Sequence, residues 1–252
     1  MSDIKILVAT HKKYEMPEES MYLPIHVGRE GKEDLGYIGD NTGDNISKKN
    51  KTFCELTGLY WAWKNLDCNY VGLSHYRRYF LDHFHNKKES ESSKAMSQAT
   101  VKSLLESNDV IVPKKRDYYI ESVRSHYANA HNISDLEKTR EIISELSPEY
   151  LSSFDKVMNS RQLHLYNMFI MDKKNFDSYA TWLFDILFRL ENEIDVSSYD
   201  SYQKRVFGFI SERLFNVWLE ESNLNIKTVP VFNCEKINWS KKITSFLIRK
   251  VK

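Results

Sequence analysis

A group of cationic side chains follows a short apolar run and could bind phosphate. Residues 70–73 (YVGL) predict a buried strand, and His75, Arg77 and Arg78 come directly after it. Guanidinium groups bind phosphate oxygens in bidentate fashion. If the strand continues, the alternation of side chains places His75 and Arg77 on one face and Arg78 on the other. Open α/β sheets bind ligands at the carboxyl ends of their strands, so the pattern predicts a phosphate site here.

A polar loop and a helix precede this strand. Residues 39–45 (GDNTGDN) combine glycine, which permits positive φ, with Asp and Asn, which hydrogen-bond their own backbone. They predict a tight exposed loop. From Asn45 or Ser47, either of which could cap a helix, apolar residues recur at helical spacing. Lys51 and Glu55 lie four residues apart on this predicted helix, where they can form an ion pair.

Polar residues also follow the first predicted strand. Residues 4–9 cluster β-branched side chains as an interior strand does, and Thr10, His11 and Lys12 come next. In an α/β sheet the first such loop commonly contacts a ligand phosphate or nucleoside, although a solvated turn is an equally good interpretation. Asn167 lies inside a strongly apolar run (LHLYNMFIM). Because burying an unpartnered amide costs free energy, we expect Asn167 to face a ligand or a polar neighbour.

The remaining patterns predict alternating strands and helices. An edge strand is predicted where Pro24 removes one ladder donor. The other predicted strands cover residues 109–113 and 226–232. Helices are predicted at residues 120–130, 134–146, 148–158, 175–193 and 202–223, of which the first three form a helical insertion. The fold class that follows is α/β.

The bulk composition restricts the class of protein. The 252 residues suffice for one large α/β domain, which we favour over two small ones. With 36 Lys and Arg against 35 Asp and Glu, the chain lacks the strong positive charge of a general nucleic-acid binder. Its 3 cysteines are widely spaced and predict neither a disulfide framework nor a zinc site, which fits a reducing cytoplasm. The apolar run near the N-terminus is too short for a membrane span, so we expect no export.

Two segments differ in composition from the rest. Residues 82–99 are rich in Ser, Lys, Glu and His, and they predict a mobile lid or a disordered insertion. Residues 233–252 interleave Lys and Arg with apolar residues, a pattern typical of a helix on an anionic membrane surface or of one packed on its own domain. We therefore predict a domain at residues 1–232 and a basic amphipathic tail at 233–252. The protein is expected in the cytoplasm, either free or peripheral on the inner face of the plasma membrane.

Common enzyme motifs are absent from the sequence. It contains no GxGxxG, P-loop, HExxH, GxSxG or DxD. The DxD pair commonly holds a divalent ion against a diphosphate, and the arginines after residues 70–73 could take over that role. We predict that no cofactor is required, with Mn or Mg as the alternative. Asp82, His83 and His85 could ligate a metal, but short His spacing in a polar loop is a weak signal.

Several motifs in order resemble one known family. The chain contains ATHKKY, GDNTGDNISKKN, ELTGLYWAWKN, YVGLSHYRRYF, YNMFIM, YATWLFDIL and GFISERLF. Over residues 4–218 it is similar to a family of bacterial capsular and exopolysaccharide biosynthesis glycosyltransferases, long catalogued as a domain of unknown function. The resemblance implies one Rossmann-like domain of the GT-A type with a mixed, mostly parallel sheet. It also implies transfer of a hexose, such as galactofuranose or galactose, from a UDP-sugar donor to a lipid-linked or oligosaccharide acceptor.

The resemblance also implies roles for particular residues. By analogy, residues 74–76 stand where metal-using GT-A enzymes carry DxD, so we predict transfer without metal. The residues expected to bind the donor are Thr10, His11, Lys12, Asp40, Asp44, Asn45, Lys51, Glu55, Arg78 and Asn167. His75 and Arg77 are expected to stabilise the leaving diphosphate. The candidates for a catalytic base are Glu212, which is favoured, Asp117 and Asp44.

Two other functions are compatible with the sequence. The abundant aromatic residues suit a non-catalytic glycan- or nucleotide-binding module of a polysaccharide assembly complex, although most of them have the spacing of core residues. His75, together with Asp82, His83 and His85, would suit a metal-dependent phosphate-ester hydrolase. Incubation with nucleotide sugars separates the three functions by the product released.

Overall fold

A computed structural model describes residues 3–82 and 94–235 of the chain. The central part of the predicted lid, including His83 and His85, lies outside the described residues. So does the tail from residue 236 onward, so the structure does not bear on its predicted contact with a membrane.

One mixed sheet forms the centre of the molecule. Its main path runs in the order β10-β6-β9-β4-β1-β2-β3. The strands of this path are β1 (Ile4–Thr10), β2 (Tyr22–His26), β3 (Ile38–Gly39), β4 (Tyr70–His75), β6 (Val110–Pro113), β9 (Phe169–Asp172) and β10 (Ile226–Val229). Only β9 runs against its neighbours, and the other strands of the path share one direction. The predicted α/β fold with a mostly parallel sheet is confirmed.

A hairpin extends the sheet beyond β4. The strand ends at His75, the chain turns over two residues, and β5 (Arg78–Phe80) returns antiparallel, with His75 opposite Arg78. The condition under which Arg78 was placed on the opposite face from His75, a strand that continues, is therefore not met. Directly paired residues of antiparallel strands point to the same side, so His75 and Arg78 share one face. The predicted strand at 226–232 is two strands, since the chain leaves β10 at Pro230 and continues as β11 (Val231–Asn233) along β5.

Helices cover both faces of the sheet. They are α1 (Asn50–Phe53), α2 (Leu56–Asn65), α3 (Gln98–Leu105), α4 (Val123–Ala130), α5 (Ile133–Leu146), α6 (Leu151–Asn159), α7 (Lys173–Glu193) and α8 (Val206–Glu221). A separate ribbon pairs β7 (Arg116–Asp117) with β8 (Gln162–Leu163). The predicted helical insertion is confirmed as α4 to α6. Two apolar clusters, one on each face of the sheet, form the core.

The helix predicted before β4 is interrupted. Cys54 separates α1 from α2 and has φ 53° and ψ −131°, so it leaves helical geometry. The side chain of Asn50 donates a hydrogen bond to the Cys54 carbonyl at 2.7 Å and stabilises the break. The expected ion pair between Lys51 and Glu55 is absent from the described residues, because the two side chains no longer lie on one continuous helix.

Two strand positions show how the sequence adapts to the sheet. Strand β2 is an edge strand over its first three residues, because β3 pairs only with its last two. Pro24 lies in the unpaired part, where no neighbouring strand on the outer side requires an N–H donor. Gly72 lies at the centre of β4, where a Cβ atom would come within 2.9 Å of the Phe169 carbonyl. A side chain there would push β9 away, so glycine is required for close strand packing.

Candidate active site

A large cleft opens at the carboxyl ends of β1, β2 and β4. Its volume is about 1260 Å³, and α1 and α8 form its other walls. The lining contains two acidic residues, Glu55 and Glu212. The lysines and arginines of the lining are Lys32, Lys51, Arg77, Arg78, Arg116, Lys204, Arg205 and Arg213. This excess of positive charge suits an anionic ligand, because a cleft with low-dielectric walls concentrates the field of its charges.

Tyr166 connects the two sides of the cleft through its backbone. Its N–H donates to Glu212 Oε1 at 2.5 Å, and its carbonyl accepts from His75 Nε2 at 2.7 Å. Since a carbonyl can only accept, Nε2 of His75 carries a proton in this contact. Tyr166 has φ 77°, in the left-handed region that a bulky side chain rarely adopts. Such strain persists only where surrounding contacts enforce it, and it is common at binding sites.

Asn167 continues this turn and is fully hydrogen-bonded. It has φ 53° and is buried, its Nδ2 donates to Glu55 Oε1 at 2.8 Å, and its Oδ1 accepts from Ser211 Oγ at 3.1 Å. The amide therefore has polar neighbours, one of the two outcomes expected for it. Through this amide the carboxylate of Glu55 is fixed toward the cleft. We call residues 166–167 the bridging turn.

Arg78 presents to the cleft a cation that forms no ion pair with another described residue. Its guanidinium carbon lies 4.7 Å from the centre of the Tyr166 ring, and its Nε is buried without a hydrogen-bond partner among residues 3–82 and 94–235. Burial lowers the pKa of Arg78, and the nearby Arg77 acts in the same direction. A buried donor without an acceptor costs free energy. An incoming phosphate oxygen would contact the terminal guanidinium nitrogens, since they are not among the buried unpartnered atoms.

Arg77 stands at the outer rim with a different partner. It forms an ion pair with Glu235 at 2.9 Å, and Lys12 lies 3.6 Å from the same carboxylate. The hydrogen bond from Arg77 lowers the pKa of Glu235. Lys12 also lies 5.0 Å from the centre of the Tyr76 ring, outside the lining of the cleft.

Of the residues at the end of β1, Thr10 stabilises the local turn and His11 lines the cleft. Thr10 is fully buried, and its hydroxyl donates to the Lys12 carbonyl at 2.6 Å. This corrects the expectation that Thr10 contacts a donor, because the hydroxyl closes the turn after β1. His11 lines the cleft and packs edge-on against Tyr76. Burial and the nearby cations Lys12 and Arg77 lower the pKa of His11, which favours its uncharged form.

Asp40 lies outside the cleft, contrary to its expected place beside the donor. It is fully buried, and its carboxylate accepts hydrogen bonds from the backbone N–H groups of Gly28 and Arg29 at 2.7 and 3.0 Å. The Ser47 hydroxyl donates to it as well at 2.5 Å. With these bonds the carboxylate joins the chain after β2 to the start of the helical segment.

Asp44 and Asn45 also lie away from the cleft. Asp44 accepts a hydrogen bond from the Tyr60 hydroxyl at 3.2 Å, and its backbone N–H donates to Asn65 at 3.1 Å. The side chain of Asn45 accepts from the N–H of Ser47 at 3.2 Å. Both side chains are occupied by the local turn and by α2, which corrects their expected contact with a nucleoside.

Asp117 also lies outside the lining of the cleft. Its Oδ1 accepts the Tyr119 N–H at 2.6 Å and its Oδ2 accepts from Gln162 at 3.1 Å. The hydrogen bond from Tyr119 lowers the pKa of Asp117. Although its neighbours Arg116 and Tyr118 line the cleft, Asp117 does not. Of the three base candidates only Glu212 does.

Comparisons with known proteins agree with this architecture. The model of the domain of unknown function DUF4422 matches residues 5–223. The chain belongs to this family. Among solved structures, the apo structure of the WbbM bifunctional glycosyltransferase matches with a TM-score of 0.84 and 32% identity. The match covers 92% of this chain and 46% of the WbbM chain, so this DUF4422 member spans less than half of that protein. No curated protein matches the sequence.

The fold confirms the resemblance found in the sequence motifs. The fold is shared with a glycosyltransferase over 92% of the chain, at a TM-score of 0.84. Within residues 3–82 and 94–235 there is no helix with the length and hydropathy of a membrane span. In the same residues no three His, Cys, Asp or Glu side chains are grouped so as to hold a metal ion.

Sequence reasoning missed several cleft residues of this DUF4422 member. Arg205 lines the cleft and donates from Nε to Cys54 Sγ at 3.3 Å. Arg213 is buried beside Glu212, with which it forms an ion pair at 3.0 Å. The GFISER stretch contained both members of this pair, but a charged pair of helix neighbours is more often solvated. Tyr166 carried no signal, because a left-handed conformation of Tyr is not visible in sequence.

Proposed function

We propose that this chain is a glycosyltransferase of surface polysaccharide synthesis that uses a nucleoside-diphosphate hexose as donor. The observation that carries the proposal is the cationic cleft at the carboxyl ends of the parallel strands, in which Arg78 forms no salt bridge with another described residue. A diphosphate supplies the acceptor oxygens that this guanidinium needs. The likeness to a bifunctional glycosyltransferase supports the transfer of a sugar.

The leaving diphosphate would be stabilised by side chains. Arg78 and His75 converge from paired positions of the β4–β5 hairpin, and Lys51 faces them from α1. Fixed donors and cations aimed at developing charge make a large contribution to lowering a barrier. We propose that transfer proceeds without a metal ion. Turnover should therefore persist in excess EDTA, and loss of turnover that manganese restores would contradict this.

The catalytic base is proposed to be Glu55. Both oxygens of Glu212 accept hydrogen bonds, one from the Tyr166 N–H and one from Arg213. Glu55 uses Oε1 for Asn167, whereas its Oε2 accepts no hydrogen bond from the described residues. A base needs an accessible lone pair directed at the acceptor hydroxyl. Glu212 would then position the bridging turn.

A pair of amide variants separates these two roles. Glu55→Gln should lower kcat about 10²-fold or more with little change in the KM for the donor, because only proton transfer is lost. Glu212→Gln should alter KM and kcat together and lower the melting temperature, because Gln keeps only one acceptor oxygen for Tyr166 and Arg213 and removes the charge that pairs with Arg213. The reverse pattern would assign the base to Glu212.

The donor and acceptor can be identified in one screen. The full chain is mixed with UDP-galactose, UDP-galactofuranose and other nucleotide sugars. Binding is measured first, as a thermal shift, and turnover is then measured with lipid-linked and soluble oligosaccharide acceptors. We expect a UDP-hexose to stabilise the protein and to release UDP only with acceptor. Binding without turnover would indicate the non-catalytic module.

The hydrolase alternative has less support. Asp82, one of its expected ligands, uses Oδ2 to accept from the N–H of Ser97 and the hydroxyl of Thr100, both at 2.9 Å. It therefore stabilises the start of α3, and it does not line the cleft that contains His75. Metal-dependent release of monophosphate in the same screen would restore this alternative.

A further inference from the structure

The two most exposed large apolar side chains of the described residues are consecutive. Tyr119 is 77% exposed and Ile120 is 71% exposed, while the next, Leu146, is 48% exposed. Both follow β7 at the tip of a turn. Neither side chain contributes to either core cluster. Contiguous exposed apolar residues in an otherwise well-packed domain mark a contact with another surface.

The turn that carries them is held firmly. Tyr119 has φ 59°, an unfavourable conformation for an aromatic residue. Its N–H donates to Asp117 at 2.6 Å and its carbonyl accepts from Arg161 at 3.1 Å. The chain is fastened on the other side as well, because Tyr118 donates its N–H to the Arg161 carbonyl at 2.8 Å. These contacts hold the two side chains away from the domain. The free-energy cost of the strained backbone is not offset by burial, because both side chains remain exposed.

Positive charge surrounds the tip. Lys114, Lys115 and Arg116 immediately precede it and are exposed, as is Arg161 beneath it. The acids nearby are Asp117, which is held by hydrogen bonds, and Glu121, which accepts from Asn129. Aromatic and aliphatic side chains flanked by Lys and Arg match the boundary between anionic headgroups and acyl chains.

The tip also lies at the rim of the cleft. Arg116 and Tyr118, on either side of Asp117, both line it. We propose that Tyr119 and Ile120 insert into the surface of an anionic bilayer and hold the cleft open toward it. The further step, that a lipid-linked acceptor enters from this side, rests on the proposed function, whereas the bilayer contact does not.

Vesicle binding of the full chain tests the proposal. Wild type is sedimented with vesicles of phosphatidylglycerol and phosphatidylcholine, and with phosphatidylcholine alone. The double variant Tyr119→Ser/Ile120→Ser should lose about tenfold or more in partition onto anionic vesicles, because two apolar side chains no longer leave water. The control is Leu146→Ser, which removes an exposed apolar side chain at the end of α5, separated in sequence from Tyr119 and Ile120. This variant should bind as wild type does.

A second measurement reports the contact directly. Tyr119→Trp should show added quenching by vesicles with brominated acyl chains, relative to wild type. Unchanged partition of the double variant, or no added quenching, would overturn the proposal, and the first result would leave membrane binding to another segment. The two proposals can also fail separately. If the wild-type chain transfers no sugar but the double variant loses vesicle binding, the bilayer contact is upheld and the proposed function is rejected. Turnover on a soluble acceptor should be the same in wild type and the double variant.

Discussion

Replacing Arg78 with methionine should separate function from stability. The guanidinium packs on the Tyr166 ring at 4.7 Å, and its Nε is buried without an acceptor in the part of the chain that the structure describes. Methionine keeps the apolar stem and a favourable sulfur contact with the ring, but it removes the charge and the donors. Loss of the cation–π contact costs about 0.5–2 kcal/mol, and relief of an unsatisfied buried donor returns about 1–3 kcal/mol. The ligand-free variant should therefore be as stable as wild type, within about 1 kcal/mol, or more stable.

The effect on a phosphate ligand should be large. Two charge-assisted hydrogen bonds from Arg78 contribute about 3–6 kcal/mol together, which corresponds to a loss of about 10²–10⁴ in kcat/KM. Binding can be followed through unfolding. At a UDP concentration of about 100 times the wild-type Kd, wild type gains about 2.7 kcal/mol, whereas a variant with a 100-fold higher Kd gains about 0.4 kcal/mol.

The assay combines urea unfolding with and without UDP and steady-state turnover on the donor found by the screen. Arg116→Met is the matched control, since Arg116 also lines the cleft but is exposed on β7. We expect it to lower kcat/KM less than tenfold. If Arg78→Met destabilises the ligand-free protein by more than about 2 kcal/mol and keeps kcat/KM within threefold, Arg78 is structural and the argument for phosphate is refuted.

Three further predictions concern the fold and the rim. Gly72→Ala should lower the free energy of unfolding in urea by about 2–4 kcal/mol, since the added methyl would meet the Phe169 carbonyl at 2.9 Å. Burial lowers the pKa of His164 to about 4, below the value of about 6.5 expected in the unfolded chain, so the unfolded state binds the extra proton. Between pH 7 and 4 wild type should lose up to about 3 kcal/mol more stability than His164→Gln, measured by urea unfolding at each pH. Glu235→Gln should leave the melting temperature unchanged, because its pair with Arg77 is exposed, and should tighten UDP binding a few-fold in titration calorimetry.

Apolar periodicity was sufficient for the sheet and for most helices. Strand β4 and the helical insertion follow directly from burial patterns, and the position of Arg78 beside a cleft follows from strand polarity. Turn chemistry misled the reasoning about Asp40, because a carboxylate that binds backbone N–H groups looks the same in sequence as one that binds a ligand. The break at Cys54 was not visible for a related reason. Its positive φ depends on a hydrogen bond from Asn50 that only the folded chain brings into place.

The hairpin after β4 was equally hidden. Nothing in the letters SHYRRYF distinguishes a strand that continues from one that reverses after two residues. The pairing of β5 with β11, more than a hundred residues later in the chain, selects the reversal. Long-range strand partners of this kind are not encoded in a local window.

The bridging turn has a consequence for how such a domain diversifies. Both hydrogen bonds that Tyr166 makes across the cleft use peptide atoms, which every amino acid except proline supplies in full. Replacing the phenol ring can thus change the surface on which Arg78 packs, while the spacing between helix α8 and strand β4 is kept. Related domains could in this way change ligand specificity by substitution at position 166, while the hydrogen bonds to Glu212 and His75 are kept.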